Sequence, residues 1–315
     1  MFHSTSFRAM GCDMLAILES DSDSISGVLQ DVPNWFEEWE QSLSRFRLDS
    51  ELTQLNRTFD QPVTVSDTLW DVYQTALWAN GFSGGLVTPT VLNAMLASGY
   101  SQPFDSLHRT DLNKDAFAGC FEVEPLAMVV SDPETRTITL PRGVQLDFGG
   151  IAKGWAAHQT VERLRAYGAC LMNAGGDIAV SGPRLDGSAW QVGVSDPFNK
   201  GKDFDTLHIK GGGVATSGKD RRKWKRNGVM QHHIINPNTG QPVETDALRV
   251  TVIAPTAMEA EAAAKTTFIL GREKGLEWLR ENPSYAGMMI LESGEVFINQ
   301  SMPEFLQGVM YANSK

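Results

Sequence analysis

The sequence predicts an α+β fold. Three observations carry that prediction. Short apolar or alternating runs bounded by glycine, proline and aspartate crowd the half after residue 126. Helical periodicity is confined to a few separated segments, and no strict strand–helix alternation runs through the chain. The chain has 315 residues, 42% hydrophobic and 21% charged, the composition of a globular protein with a sizeable core. With no internal repeat and no low-complexity linker, 1–315 reads as a single continuous domain.

Residues 8–18 read as a strand with a turn at Met10-Gly11. Residues 23–43 repeat apolar positions at helical spacing (Ile25, Val28, Leu29, Val32, Trp35, Phe36, Trp39, Leu43), with a break expected at Pro33. Ser50 is placed to cap a short helix, because its hydroxyl can accept from an orphan N–H. Residues 66–80 form a further amphipathic helix, and GFSGGLVTPTV (81–91) is a glycine-rich loop leading into a short one. Residues 101–125 read as an irregular excursion. MVVSDPETRTITLPRGVQLDFGG (128–150) reads as a hairpin turning at Asp132-Pro133, and IAKGWAAHQTVERLRAYG (151–168) as a helix closed by Gly168. Strands or strand-edge loops follow at CLMNAGGDIAVSG, WQVGVSDP, LHIKGGGVATSG, HHIINPNTG and LRVTVIAP.

Acidic residues outnumber basic ones 38 to 27, a net charge of −11. That balance argues against nucleic-acid binding through phosphates. KDRRKWKR (219–226) is either a solvated loop or a local basic patch. Cys12, Cys120 and Cys170 show no CxxC spacing, which argues against a disulfide framework or a cysteine zinc site and fits a reducing, cytoplasmic setting. No signal-peptide pattern and no membrane-spanning run is visible.

Four stretches could carry chemistry. In LDFGGIAKG (146–154), a strand ends at Asp147, a double glycine follows, and Lys153 stands at the mouth of a helix. Glycines let a ligand approach the backbone, helix-start N–H groups favour anions, and a lysine adds a point charge. The alternative is a glycine-rich connection with an exposed lysine. NAGGDIAVSG (173–182) reads first as a hairpin turn, as do the loop signals SDP and ATSGKD, although Thr216 and Ser217 could donate to a phosphate. In QHHIINPNTG (231–240), His232 and His233 would face opposite ways on a strand, one free to act as a base and the other packed. In MEAEAAAKTTFILG (258–271), Thr256 and Glu259 fit a capping box, while Glu261 and Lys265 share one helical face. Every other residue from 260 to 270 is alanine, threonine or a large apolar group, so that face is either a solvated ion pair or one turned into a site.

Taken in order, MGCDMLAIL, SRFRLDSELTQLN, LDFGGIAKGWA, NAGGDIAVSG, WQVGVSDP, VATSGKD, HHIINPNTGQPV and AEAAAKTTFILG run from residue 10 to 271 and resemble the ApbE family of FAD:protein FMN transferases. The resemblance implies a T-fold-like α+β architecture of antiparallel or mixed sheets with flanking helices. It implies FAD as substrate, Mg²⁺ as cofactor, and FMN transfer to a threonine or serine hydroxyl of an acceptor flavoprotein. Flavin contacts would fall on Met10, Phe46, Thr88, Asp147, Lys153 and Ile234. His233 or Asp147 would serve as the base. The metal would be held by the Gly150 carbonyl and the helix over 257–270, where the family pattern is an aspartate and, four residues on, a threonine. Those positions here are Glu261 and Lys265. Glutamate can ligate Mg²⁺, whereas an ammonium group has donors and no acceptor. The departure raises the expectation that Lys265 takes the place of the metal, so that FAD binding survives and transfer weakens; beside a transferase, the second reading is a flavin-binding protein without transfer. A scaffold that retains only the fold is the third reading.

Overall fold

Two residues with positive φ, Met10 (49°) and Gly11 (65°), turn the chain at its start and pair Ala9 with Cys12. This is the backbone that a tight hairpin demands. The computed structural model describes residues 1–21, 26–107, 121–226 and 228–306. Cys120 and most of the expected excursion lie outside them.

In chain order the first elements are β1 (Phe2–Ala9), β2 (Cys12–Glu19), α1 (Ser26–Leu43), α2 (Glu51–Leu55), β3 (Val63–Thr64), α3 (Asp67–Phe82), α4 (Leu92–Ala97) and α5 (Phe104–Leu107). Next come β4 (Val130–Asp132), β5 (Thr137–Thr139), α6 (Ala152–Leu164), β6 (Ala169–Ala174), β7 (Asp177–Val180), β8 (Trp190–Ser195) and β9 (Asp203–Ile209). The remainder are β10 (Gly212–Gly218), β11 (Lys223–Arg226), β12 (Val229–His232), β13 (Ile235–Asn236), β14 (Gln241–Pro242), β15 (Ala247–Ala254), α7 (Ala257–Glu281), β16 (Ala286–Leu291) and β17 (Val296–Ile298). The α+β prediction holds.

These elements fall into two compact units interleaved in sequence. The first comprises Met1–Trp35, Lys153–Asp220 and Thr245–Lys315; the second comprises Phe36–Ala152 and Arg221–Glu244. The first is built on an eight-stranded antiparallel sheet in the order β1-β2-β6-β7-β10-β15-β16-β17. Alternate residues along a strand face opposite ways. Leu171, Ile178, Val214, Ile253 and Met288 therefore share one face and pack with Trp190, Val192, Leu207 and Ile209 of the β8–β9 hairpin. Met172, Val250, Val252 and Met289 are buried on the other side, where α7 lies against β10 and β15.

Small residues set the height of α7 above the sheet. A Cβ on Gly213 would come 2.3 Å from the Ala257 Cα. Thr256 caps the helix, accepting from the Glu259 N–H at 3.1 Å as predicted. Gly271, at φ 74° and ψ −170°, interrupts the helical backbone where the sequence suggested a stop, and a second helical stretch continues to Glu281.

The second unit holds the three-stranded sheet β3-β5-β4, the hairpins β11–β12 and β13–β14, and most of the short helices. Ser50 caps α2 as expected, accepting from the Thr53 N–H at 3.1 Å. A small core gathers Met95, Tyr100, Leu107, Trp224 and Ile235, and the Trp224 indole N–H donates to the Ser98 carbonyl at 3.0 Å. Trp224 thereby roots β11, so the second half of KDRRKWKR (223–226) is a strand paired with β12 while 219–222 remain loop.

Three local expectations are corrected. α1 runs through Pro33 without a break. A proline inside a helix loses one backbone hydrogen bond, and burial of Val32, Phe36 and Trp39 outweighs that loss. α6 ends at Leu164, not at Gly168. Gly168 serves another purpose, since a Cβ there would lie 2.2 Å from the Glu19 carbonyl oxygen. The N-terminal strand over 8–18 is two strands of a hairpin, the first of which is β1.

Candidate active site

Residues 257, 260, 261, 264 and 268 form one stripe along α7 at helical spacing, and all five are buried. Four are alanine or phenylalanine. The fifth is Glu261, whose side chain is only 5% exposed. This settles the question left by the sequence: Glu261 and Lys265 are not a solvated surface pair.

Three elements of the first unit converge on Glu261. The first turn of α6 supplies the Gly154 N–H, which donates to Oε2 at 2.9 Å, and Lys153, whose Nζ lies 3.3 Å from Oε1. The next turn of α7 supplies Lys265, its Nζ 3.6 Å from the same Oε1. The Gly175-Gly176 turn, with φ of 66° and 103°, delivers Asp177 to the start of β7, and Lys153 donates to its Oδ2. The helix-start N–H that the sequence offered to a ligand is thus engaged by a carboxylate of the chain itself.

The cluster is electrically closed. Two carboxylates, each 5% exposed, face two lysines, each 16% exposed. Burial pushes the Glu261 carboxyl up, but Lys153, Lys265 and the Gly154 N–H outweigh it and hold the group below the usual range. Burial dominates at Asp177, against the pull of Lys153 and with the repulsion of Glu261, and raises its carboxyl to about 6. A raised native value means that this group favours the fold most when protonated, and that the contribution is lost as pH climbs from the ordinary carboxylate value through about 6. Asp177→Asn should therefore gain on the wild type across that window, by up to about 1 kcal/mol per pH unit. Melting curves of both proteins across the window check this; a constant gap would show that Asp177 does not titrate there.

Close packing at α6 and α7 is part of the design. A Cβ on Gly154 would fall 2.8 Å from the Ala257 carbonyl oxygen and 2.9 Å from Glu261 Oε2. Gly154→Ala is expected to lower stability by about 1–3 kcal/mol through overpacking. An unchanged melting temperature would mean that the two helix starts can separate freely.

The divalent cation implied by the resemblance does not fit this donor set. Mg²⁺ wants oxygen ligands with uncompensated charge. Both oxygens of Glu261 accept from the protein, and each carboxylate is matched by an ammonium group. Lys265 has no lone pair to offer. Among the described residues, no group of three or more His, Cys, Asp or Glu gathers in a metal-binding arrangement.

The second unit brings another predicted set together. Asp147 is buried; its Oδ1 accepts from the Gly149 N–H at 2.7 Å and its Oδ2 from the Arg45 Nε at 2.6 Å. The Arg45 guanidinium lies over the Phe46 ring at 4.0 Å and the Tyr100 ring at 4.6 Å, a cation held between two π faces. Phe46 keeps 37% exposure. Thr88 caps the turn at 89–91, its hydroxyl 2.8 Å from that of Thr90, and Asp147 N–H donates to the Pro89 carbonyl at 2.8 Å.

Only one of the two histidines lies on a strand, contrary to the expectation of two opposed strand residues: β12 ends at His232, and His233 falls in the bend that follows. His232 is buried, with Nε2 2.9 Å from the Val243 carbonyl and Nδ1 accepting from the Ile234 N–H at 3.3 Å. It is a structural residue. Ile234 is buried, and His233 is half-buried. Gly150 belongs to this second unit, whereas Met10, Lys153, Glu261 and Lys265 belong to the first. Sequence reasoning missed Asp177, taken only as a turn residue, and Arg45, which sits beside the predicted Phe46.

Antiparallel sheets with flanking helices define an α+β protein, and its first unit carries a buried lysine–carboxylate cluster. Residues 10–289 match the sequence profile of the ApbE family, and the chain belongs to that family. A FAD:protein FMN transferase from Treponema pallidum is 32% identical over 304 residues, covering 90% of this chain and 83% of that protein. Its counterpart from Haemophilus influenzae is 26% identical over 302 residues, covering 92% and 84%. Among solved structures, the ApbE protein of Thermotoga maritima superposes with a TM-score of 0.86 at 22% identity, covering 98% of this chain and all of that one. The flavin transferase ApbE of Vibrio cholerae superposes at 0.80 and 23% identity, covering 97% and 99%. No helix among the described residues is long and apolar enough to cross a membrane.

Proposed function

We propose that the chain, acting as one domain over 1–315, is a FAD:protein FMN transferase. The observation that carries this is the family match over 10–289, joined to relatives of that name along nine-tenths of the chain. In the proposed reaction a threonine or serine hydroxyl of an acceptor flavoprotein attacks the FMN phosphorus. The pyrophosphate P–O bond breaks, AMP leaves, and the hydroxyl proton passes to a base. His233 is that base, with Asp147 as the second candidate. Met10, Phe46, Thr88, Asp147, Lys153 and Ile234 hold the flavin nucleotide. Lys153 supplies charge to the pyrophosphate. The absence of CxxC spacing supports a reducing, cytoplasmic setting.

The test is to incubate the purified protein with FAD and a flavoprotein acceptor carrying a threonine, following acceptor mass and AMP release. Transfer predicts an acceptor gain of one FMN and one AMP released per acceptor. One observation favours a second reading, a FAD-binding protein with weak or no transfer: Lys265 pairs with Glu261 where the family pattern expects a metal ligand. A yellow protein holding intact FAD, with no AMP released and no acceptor labelled, would replace the first reading with the second.

A further inference from the structure

We infer that Lys265 makes the Glu261–Asp177 cluster independent of divalent cations, its ammonium standing where a bound cation would otherwise neutralise the two carboxylates. Its consequence for FAD affinity rests on the transferase reading; cation exclusion itself rests on the cluster alone. Two carboxylates and two lysines meet within one buried patch, all four side chains at 16% exposure or less. Adding a divalent ion would leave an excess of two positive charges there, with ammonium groups as its nearest neighbours.

The arrangement also says what happens when Lys265 is lost. Lys153 alone then faces two carboxylates, and the patch gains a net negative charge. Lys265→Met keeps most of the aliphatic volume and removes the charge; Lys265→Thr removes the charge, gives up volume and adds a hydroxyl oxygen. Either variant should acquire a cation site that the wild type lacks.

The experiment titrates Mn²⁺ into the full-length wild type, Lys265→Met and Lys265→Thr, reading bound metal by electron paramagnetic resonance. Glu261→Gln is introduced into each as the control for ions bound elsewhere. The expected result is no Glu261-dependent Mn²⁺ on the wild type and one Glu261-dependent ion on at least one folded Lys265 variant. A second arm measures FAD affinity in EDTA and in Mg²⁺. It should be unchanged in the wild type and about tenfold tighter with Mg²⁺ in Lys265→Thr, the size of an ordinary linkage between two ligands. Glu261-dependent Mn²⁺ on the wild type overturns the inference, as does the failure of both variants to gain a site. If no protein binds FAD under either condition, the transferase reading fails while the manganese arm still decides this one.

Discussion

Lys153→Met is expected to lower the stability of the protein by about 3–5 kcal/mol. Lys153 contacts both carboxylates, donating to Asp177 and lying 3.3 Å from Glu261. Without it, two buried acids face each other with Lys265 alone to balance them. Breaking a buried pair from one side costs far more than the pair contributes, because the abandoned charge stays in a poor dielectric. Asp177 would take up a proton to relieve the repulsion, since burial already raises its carboxyl to about 6. The loss should therefore be smaller at acid pH than at neutral pH. Denaturant melts of Lys153→Met, Asp177→Asn and the double variant test the argument. The double variant should recover part of the loss, because removing the second charge removes the reason for the penalty. A double variant as unstable as the sum of the two singles would show that Lys153 acts through packing rather than through Asp177.

The same cluster shows how far sequence reasoning reaches. The face of α7 was half legible: an alanine-rich stretch carrying Glu261 and Lys265 left a solvated pair and a face turned into a site both open, and burial of Glu261 decides for the second. Lys265 was legible as its partner one turn away, but the rest of the cluster was not, because Lys153 pairs with Asp177 and Glu261 across 24 and 108 residues. Local spacing carries no information about such distances. Asp177 followed a double glycine and looked complete as a turn residue; the turn exists, and it also delivers a carboxylate. Arg45 was overshadowed by Phe46, although Arg45 is the residue that pairs with the buried Asp147. Caps and tight turns were read correctly at Ser50, Met10-Gly11 and Thr256 because their physics is local. The first strand escaped notice because none of Phe2–Arg8 is fully buried, so no apolar face announced it. Pro33 misled because tertiary burial of Phe36 and Trp39 overrides a local penalty.

His233→Ala is expected to slow FMN transfer by about 10²–10⁴-fold, the usual contribution of a positioned acid or base. FAD affinity should change little, because a base that takes the acceptor hydroxyl proton does its work in the transition state. The rate rather than the binding should carry the loss, so kcat falls and the limb of the pH–rate profile that reports the base disappears. His232 gives the internal comparison. Its ring is fixed between the Val243 carbonyl and the Ile234 N–H, so His232→Ala should lower the melting temperature and affect rate only through the fold. Backbone position separates the neighbours: His232 is the last residue of β12 and is buried, whereas His233 lies in the bend that follows and is half-buried. If His232→Ala abolished the base-dependent limb while His233→Ala left it intact, the assignment of the two would be reversed. If neither touched it, Asp147 would become the base, and its bond to Arg45 Nε at 2.6 Å would then be the contact that orients it.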